Sequence, residues 1–213
     1  KSRILKDYND RPSLLEPLPE FNYRMAQVGA ILISYRARYL RELSAQAGQF
    51  HAEFSGGKET LRLRYQTVST VTDPFAEKKK IIQQLLDHQQ SHYRAELESG
   101  QCLSGPHKDD FEAELDGLSV KAFGSQGQTR TAAISLKLAE RELFRRDTGE
   151  EPVLLLDDVL SELDSARQEF VLNRIGGGQT LVSCCEAASV ERMTGGRVLY
   201  MDKGRVNEVC TSI

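Results

Sequence analysis

From Phe21 to Ala47 the apolar residues Met25, Val28, Leu32, Tyr35, Tyr39 and Leu43 recur every three or four positions, which predicts a long helix packing along that stripe. Gly29 interrupts the run without ending it, and Arg36, Arg38 and Arg41 lie off the stripe. Leu61-Arg62-Leu63-Arg64-Tyr65 alternates apolar and basic, the period-two mark of a half-buried strand. Asp73-Pro74 breaks the chain. A second helical pattern runs through Ile81, Ile82, Leu85, Leu86 and His92 to Leu97, introduced by Lys78, Lys79 and Lys80. The Gly- and Ser-containing stretch from Glu98 to Pro106 reads as a hinge, dividing a mostly helical lobe (1–104) from an α/β lobe (105–213).

After Pro106 the elements shorten. Phe111, Ala113 and Leu115 alternate with acids, Asp116-Gly117 predicts a hairpin turn, and Leu118, Val120, Ala122 and Phe123 follow as the returning strand. The polar stretch FGSQGQTRT then leads into a helix with Ala132, Leu136, Ala139 and Leu143 at helical spacing. Val153-Leu154-Leu155-Leu156 is apolar on both faces, as a buried parallel strand requires, and ends in Asp157-Asp158. Asp164-Ser165 caps a helix to Ile175, Thr180–Ser183 supplies another buried strand, and VLYMDKGRVNEV predicts a closing hairpin around Lys203-Gly204.

Composition narrows the class. With 39% hydrophobic and 28% charged residues in 213, the chain is globular in type and large enough for a real core. No window approaches the roughly 20 apolar residues of a membrane helix, and the first residues hold no apolar signal core. Cys102, Cys184, Cys185 and Cys210 lack CxxC spacing, so free thiols in a reducing cytoplasm are expected rather than a disulfide framework or zinc ribbon. The net charge of −3 is unevenly divided: residues 1–100 carry 15 Lys or Arg against 12 Asp or Glu, and the remainder 13 against 19. A polyanion would therefore meet the first half more readily.

Two segments carry candidate chemistry. A buried strand ending in two acids presents them at the carboxyl edge of a sheet, where α/β folds place ligands; one can hold a hydrated magnesium ion while the other orients a water. The same residues would also serve as an ordinary acidic strand end. In Gly124-Ser125-Gln126-Gly127-Gln128-Thr129-Arg130, small residues, a helix start, a hydroxyl and a fixed positive charge make a phosphate-facing surface, or a plain polar loop before a helix.

In this order, GSQGQTR, helix, LLLDD and SELD resemble the signature motif, Walker B strand and D-loop of the ABC-type ATPases of the SMC and Rad50 class. Bacterial recombination mediators of that class share, in addition, Gly105-Pro106-His107-Lys108-Asp109-Asp110, the long helices before it and the YMDKGRV ending. The resemblance implies the C-terminal lobe of an ABC-type ATPase head with a mostly helical additional lobe. It implies Asp157 as the magnesium-associated acid and Asp158 as the catalytic carboxylate, where many relatives have Glu. It further implies Ser125 and Gly127 as contacts to the γ-phosphate held by an opposing subunit, supported by Gln126, Gln128 and Arg130, with Asp164 crossing the dimer interface. The complete protein would be a weak, DNA-stimulated ATPase forming an ATP-dependent homodimer on gapped or double-stranded DNA without sequence preference. It would help RecO and RecR load the recombinase RecA.

Two departures qualify the match. No G-x-x-x-x-G-K-[ST] occurs: Gly56-Gly57-Lys58 is followed by Glu59 and precedes a strand. The chain is thus expected to be the C-terminal part of a longer protein, inactive alone. The strand after Walker B reads LVSCCE, with no switch histidine, so Cys184 or its neighbour takes that place. Among other groups, His88 and His92 at i and i+4 suit packing or a solvated helix face better than a metal. Lys78–Lys80 and Arg36, Arg38 and Arg41 are the best sites for DNA phosphates, though such clusters are usually solvated faces. Two rival functions remain: a metal-dependent nuclease using Asp157, Asp158, Asp109 and Asp110 beside His107, and an architectural DNA clamp with a vestigial ATP site.

Overall fold

The computed structural model describes residues 1–160, 163–185 and 197–211, with side chains of the last strand described through Val206. It divides into two compact units, residues 1–49 with 60–123, and residues 50–59 with 124–213. The division differs from the expected one at 104/105, and strand pairing gives the reason. β1 (Leu61–Gln66) pairs antiparallel with β2 (Asp110–Leu115), in register from Leu61↔Leu115 to Gln66↔Asp110, so the segment after Pro106 is tied to the first unit. The Glu98–Pro106 stretch is a connection inside that unit.

In the first unit α1 (Ser2–Asp7) precedes α2, which runs from Leu18 to Ser55, longer at both ends than the apolar stripe predicts. Its buried face shares Leu43 with the predicted stripe but is otherwise largely a different one. Ala26, Ala30, Ile33, Ala37, Leu40 and Ala47 are buried, whereas Val28, Leu32, Tyr35 and Tyr39 are exposed, Tyr35 to 68%. Small residues let neighbouring elements approach the helix closely, so α2 packs through its alanines. At Gly29 an added Cβ would lie 3.1 Å from Leu85 Cδ1 and 3.3 Å from Pro106 Cδ, which explains a glycine inside a helix. Leu85 belongs to α3 (Lys78–Ser91), and with Ala26, Ala30, Ile33, Val68, Val71 and Ile81 it forms a continuous core. The helix expected through Leu97 breaks at His92 and resumes as α4 (Tyr93–Ser99).

The hairpin turn occurs as predicted, with Asp116 and Gly117 both at positive φ (51° and 85°). The returning strand is shorter than expected. β3 is only Leu118–Ser119, and Val120–Phe123 coil into a helical turn, α5. Their apolar residues are too irregularly spaced for a strand face, and only Val120 is buried.

The second unit takes the end of α2, then α6 (Gln126–Thr148), β4 (Leu154–Asp157), α7 (Ser165–Arg174), β5 (Thr180–Ser183) and the hairpin β6 (Arg197–Asp202) with β7 (Arg205–Thr211). β4 and β5 are parallel, from Leu154↔Thr180 to Asp157↔Ser183. Leu154 and Leu156 are buried, but Val153, Leu155 and Leu181 are exposed, so this two-stranded sheet has one covered face rather than the two expected. Phe54 packs on Phe170 of α7 with ring centroids 4.1 Å apart. The terminal hairpin turns at Lys203-Gly204, both at positive φ, as predicted. Among the described residues no helix is long and apolar enough to cross a membrane, and Cys102 and Cys185 are free thiols.

Candidate functional site

The Ser125 turn is exposed and opens α6. Ser125 is the N-cap: its Oγ accepts from Gln128 N–H at 3.2 Å, while its own N–H donates to Gln128 Oε1 at 3.0 Å, a complete capping box. The box uses an acceptor lone pair of Ser125 Oγ and leaves its O–H proton able to donate to an anionic oxygen. Thr131 Oγ1 donates to Gly127 O at 2.7 Å, fixing the first helical turn from within. At Gly127 an added Cβ would lie 3.6 Å from Arg167 Nη1, so a cation stands beside the turn. Gln126 is exposed, and Gln128 and Arg130 are half-buried.

Two residues far from the motif in sequence buttress it. Gln128 Nε2 donates to Glu59 Oε1 at 2.8 Å, and Glu59 Oε2 lies 3.0 Å from His51 Nε2, a ring that is wholly buried near the end of α2. The hydrogen bond from Gln128 holds the Glu59 carboxyl below the ordinary carboxylate range against the opposing effect of burial, and His51 and Arg167 act in the same direction as Gln128. Nothing in the motif pattern points to Glu59 or His51. A Gly-Gly turn followed by an acid, one strand before the hairpin, is the only local signal.

The acid pair is placed as the strand pattern predicts, at the carboxyl end of β4, with both aspartates exposed. Ser183, at the end of β5, ties the two: its Oγ donates to Asp157 Oδ1 and accepts from Asp158 N–H at 3.0 Å. Asp158 N–H also reaches Ser183 O at 3.2 Å. Asp158 sits at φ 50°, a left-handed conformation that aspartate tolerates better than most residues. Cys184 and Cys185 follow directly, half-buried and exposed. Asp164 is the N-cap of α7, its Oδ1 accepting from Arg167 N–H at 2.9 Å and its Oδ2 3.5 Å from Arg167 Nε. Ser161 and Glu162 of the SELD segment lie outside the described residues.

Arg167 therefore neighbours both the Ser125 turn and the Asp164 cap, a junction that the motif spacing does not reveal. The turn is organised by Glu59 and His51, the acid pair by Ser183. Asp157, an exposed carboxylate beside a hydroxyl at a sheet edge, suits a hard, oxygen-seeking cation such as magnesium.

Several of the remaining candidates are engaged in contacts within the fold. Gly56-Gly57 is the left-handed C-terminal cap of α2, with Gly57 N–H donating to Ala52 O at 2.7 Å. His88 and His92 stack with centroids 4.0 Å apart; His88 Nδ1 meets Ser104 Oγ at 2.7 Å and His92 Nδ1 meets His88 O at 2.9 Å. Asp109, its side chain 1% exposed, accepts from the Tyr65 hydroxyl and lies 3.6 Å from Arg36 Nη1, which also donates to Pro106 O. Burial and then Asp109 push the Tyr65 phenol well above its ordinary range. His107 Nε2 meets Cys102 O at 3.2 Å. Arg41 stacks on Phe75, while Arg38 and Lys78–Lys80 are exposed.

No family model matches the chain. It is 37% identical over 204 residues to the DNA replication and repair protein RecF of Acetivibrio thermocellus, covering 94% of this chain and 54% of that protein. To RecF of Listeria monocytogenes it is 40% identical over 202 residues, 92% of this chain and 53% of that one. Among solved structures, the recombination mediator RecF-ATPrS in the RecFOR pathway superposes with a TM-score of 0.81 at 31% identity, and RecF-ATP with 0.79 at 32%; each comparison covers 97% of this chain and 54% of the other. The chain is RecF-like. It spans about half the length of the curated RecF proteins it matches. The RecF-like fold agrees with the expected α/β lobe accompanied by a mostly helical one. The nuclease reading has no such support: these relatives are replication and repair proteins, and among the described residues no three His, Cys, Asp or Glu side chains gather as a metal site.

Proposed function

We propose that this chain is the C-terminal part of a RecF-type DNA replication and repair protein, and that it supplies two faces of an ATP site completed by dimerisation. Ser125 and Gly127 meet the γ-phosphate held by the opposing subunit, with Gln126, Gln128 and Arg130 in support. Asp157 holds magnesium, Asp158 orients the attacking water, and Asp164 crosses the interface. When bound, the metal offsets charge on the phosphate oxygens. The cradle for the β- and γ-phosphates belongs to the half of the RecF length that this chain does not span.

The observation that carries the reading is that both phosphate-facing elements are exposed and pre-set. The Ser125 hydroxyl stands at a helix N-terminus with its proton free to donate, and the Asp157-Asp158 pair is fixed at a strand's carboxyl edge by Ser183. ATP would act as a bridge whose binding favours the closed dimer, and hydrolysis would release it. In this reading the complete protein closes on gapped or double-stranded DNA through phosphate contacts such as Arg38 and Lys78–Lys80, reads no bases, and works with RecO and RecR to load RecA in the cytoplasm. The presence of both Ser125 and the acid pair argues against a clamp with a vestigial site.

The test is Asp158→Asn in the complete protein. ATP-dependent dimers, followed by sedimentation, should persist while hydrolysis falls about 100-fold, within the range expected for losing a positioned general base. Normal turnover in that variant would remove Asp158 from the mechanism.

A further inference from the structure

We infer that Glu59, backed by His51, is a positioning residue for the signature turn, acting through the side-chain amide of Gln128. This rests on the reading of the Ser125 turn as a lid for the γ-phosphate. The argument turns on the two-sidedness of a carboxamide. Gln128 must present its oxygen to Ser125 N–H, because the reversed orientation would set an NH2 against another donor. Glu59 enforces the same choice from the other side: an ionised carboxylate only accepts, so the amide's NH2 must face it and the oxygen is held toward Ser125.

Glu59 is itself held. Its second oxygen faces His51 Nε2 at 3.0 Å, and its N–H donates to Ser55 Oγ at 3.2 Å. His51 Nδ1 lies 3.3 Å from Ser135 Oγ, which donates to Thr131 O at 2.8 Å, and Thr131 in turn donates to Gly127 O. The bonds thus leave the turn at Gln128 and return to it at Gly127. His51 and Ser135 are fully buried, so water does not compete for these partners. The charge on Glu59 agrees with its lowered carboxyl range, for which the Gln128 bond is the leading cause.

The experiment measures the ATP concentration for half-maximal dimerisation of the complete protein. Glu59→Ala should raise it about tenfold, the loss of one charge-assisted hydrogen bond. Gln128→Glu, a change at the half-exposed partner that leaves the buried residues intact, should do the same by opposing two carboxylates. The swap Glu59→Gln with Gln128→Glu should restore dimerisation to within about threefold of wild type, because the carboxylate moved to position 128 would accept from both Ser125 N–H and the amide moved to position 59. A merely structural role for Glu59 gives no such rescue. If wild type dimerises with ATP but Glu59→Ala does so at the same concentration, or the swap is no better than Gln128→Glu alone, the inference fails and the lid reading stands. If wild type shows no response to ATP, the lid reading fails and takes this inference with it.

Discussion

The signature turn and the acid edge face the same proposed chemistry but are built in opposite ways. At Ser125 the backbone is ordinary, φ −64° at the N-cap, and the geometry is imposed by side chains drawn from α2, the segment after it and α6. At Asp158 the backbone itself carries the distortion, φ 50°, and among the described contacts Ser183 of the neighbouring strand receives its N–H. In the proposed function, a lid that fits a phosphate on another subunit gains from stiffness, whereas a carboxylate that orients a water and then lets product leave gains less from it.

Breaking the comparison starts with its largest contrast. Ser125→Ala should raise the ATP needed for dimerisation by tenfold to about 100-fold, since a hydroxyl–phosphate bond is charge-assisted, whereas Asp158→Asn leaves closure intact. Equal dimerisation defects in the two variants would erase the distinction between lid and edge. Next in size, Asp158→Val should destabilise the chain by about 1–2 kcal/mol, because a β-branched residue is poorly tolerated at positive φ. In thermal unfolding Asp158→Asn should stay near wild type; similar losses in both would show that charge, not backbone, dominates there.

The smallest effect separates both regions from the first unit. Burial, and then the neighbouring His92, hold His88 below the ordinary histidine value of 6.5, with Lys1 acting in the same sense and Glu96 against it. A histidine kept neutral in the fold binds fewer protons than in the unfolded chain. Its stabilisation is therefore complete above about 6.5 and declines as pH falls through the folded value. Hydrogen-exchange protection of α3 should drop between pH 7.5 and 5.5 in wild type and drop less in His88→Gln, while the Thr129 amide in α6 changes in neither.

What the sequence discloses follows the same split. The acid pair is legible because a run of apolar residues ending in two aspartates is a local pattern. The Lys203-Gly204 turn is local in the same sense. The face of α2 is not legible from the size of its apolar residues. Val28, Leu32, Tyr35 and Tyr39 outweigh the alanines in any periodicity argument, yet close packing selects Ala26, Ala30, Ala37 and Ala47. The supports of the turn are hidden for another reason. Gln128 and Glu59 stand 69 residues apart, and no spacing rule joins an acid after a Gly-Gly turn to an amide in a later helix. The unit boundary is obscured likewise, because the pairing of β1 with β2 overrides a glycine-bearing connection.

The reversal at Gly56-Gly57 has one more consequence. His51 and Glu59 are eight residues apart along the chain, with a helix end, two left-handed glycines and a serine clasp between them. That segment works as a ruler. Adding or deleting one residue in it would leave α2 and β1 whole but carry the carboxylate out of reach of its amide, so loop length here is held as tightly as any side chain.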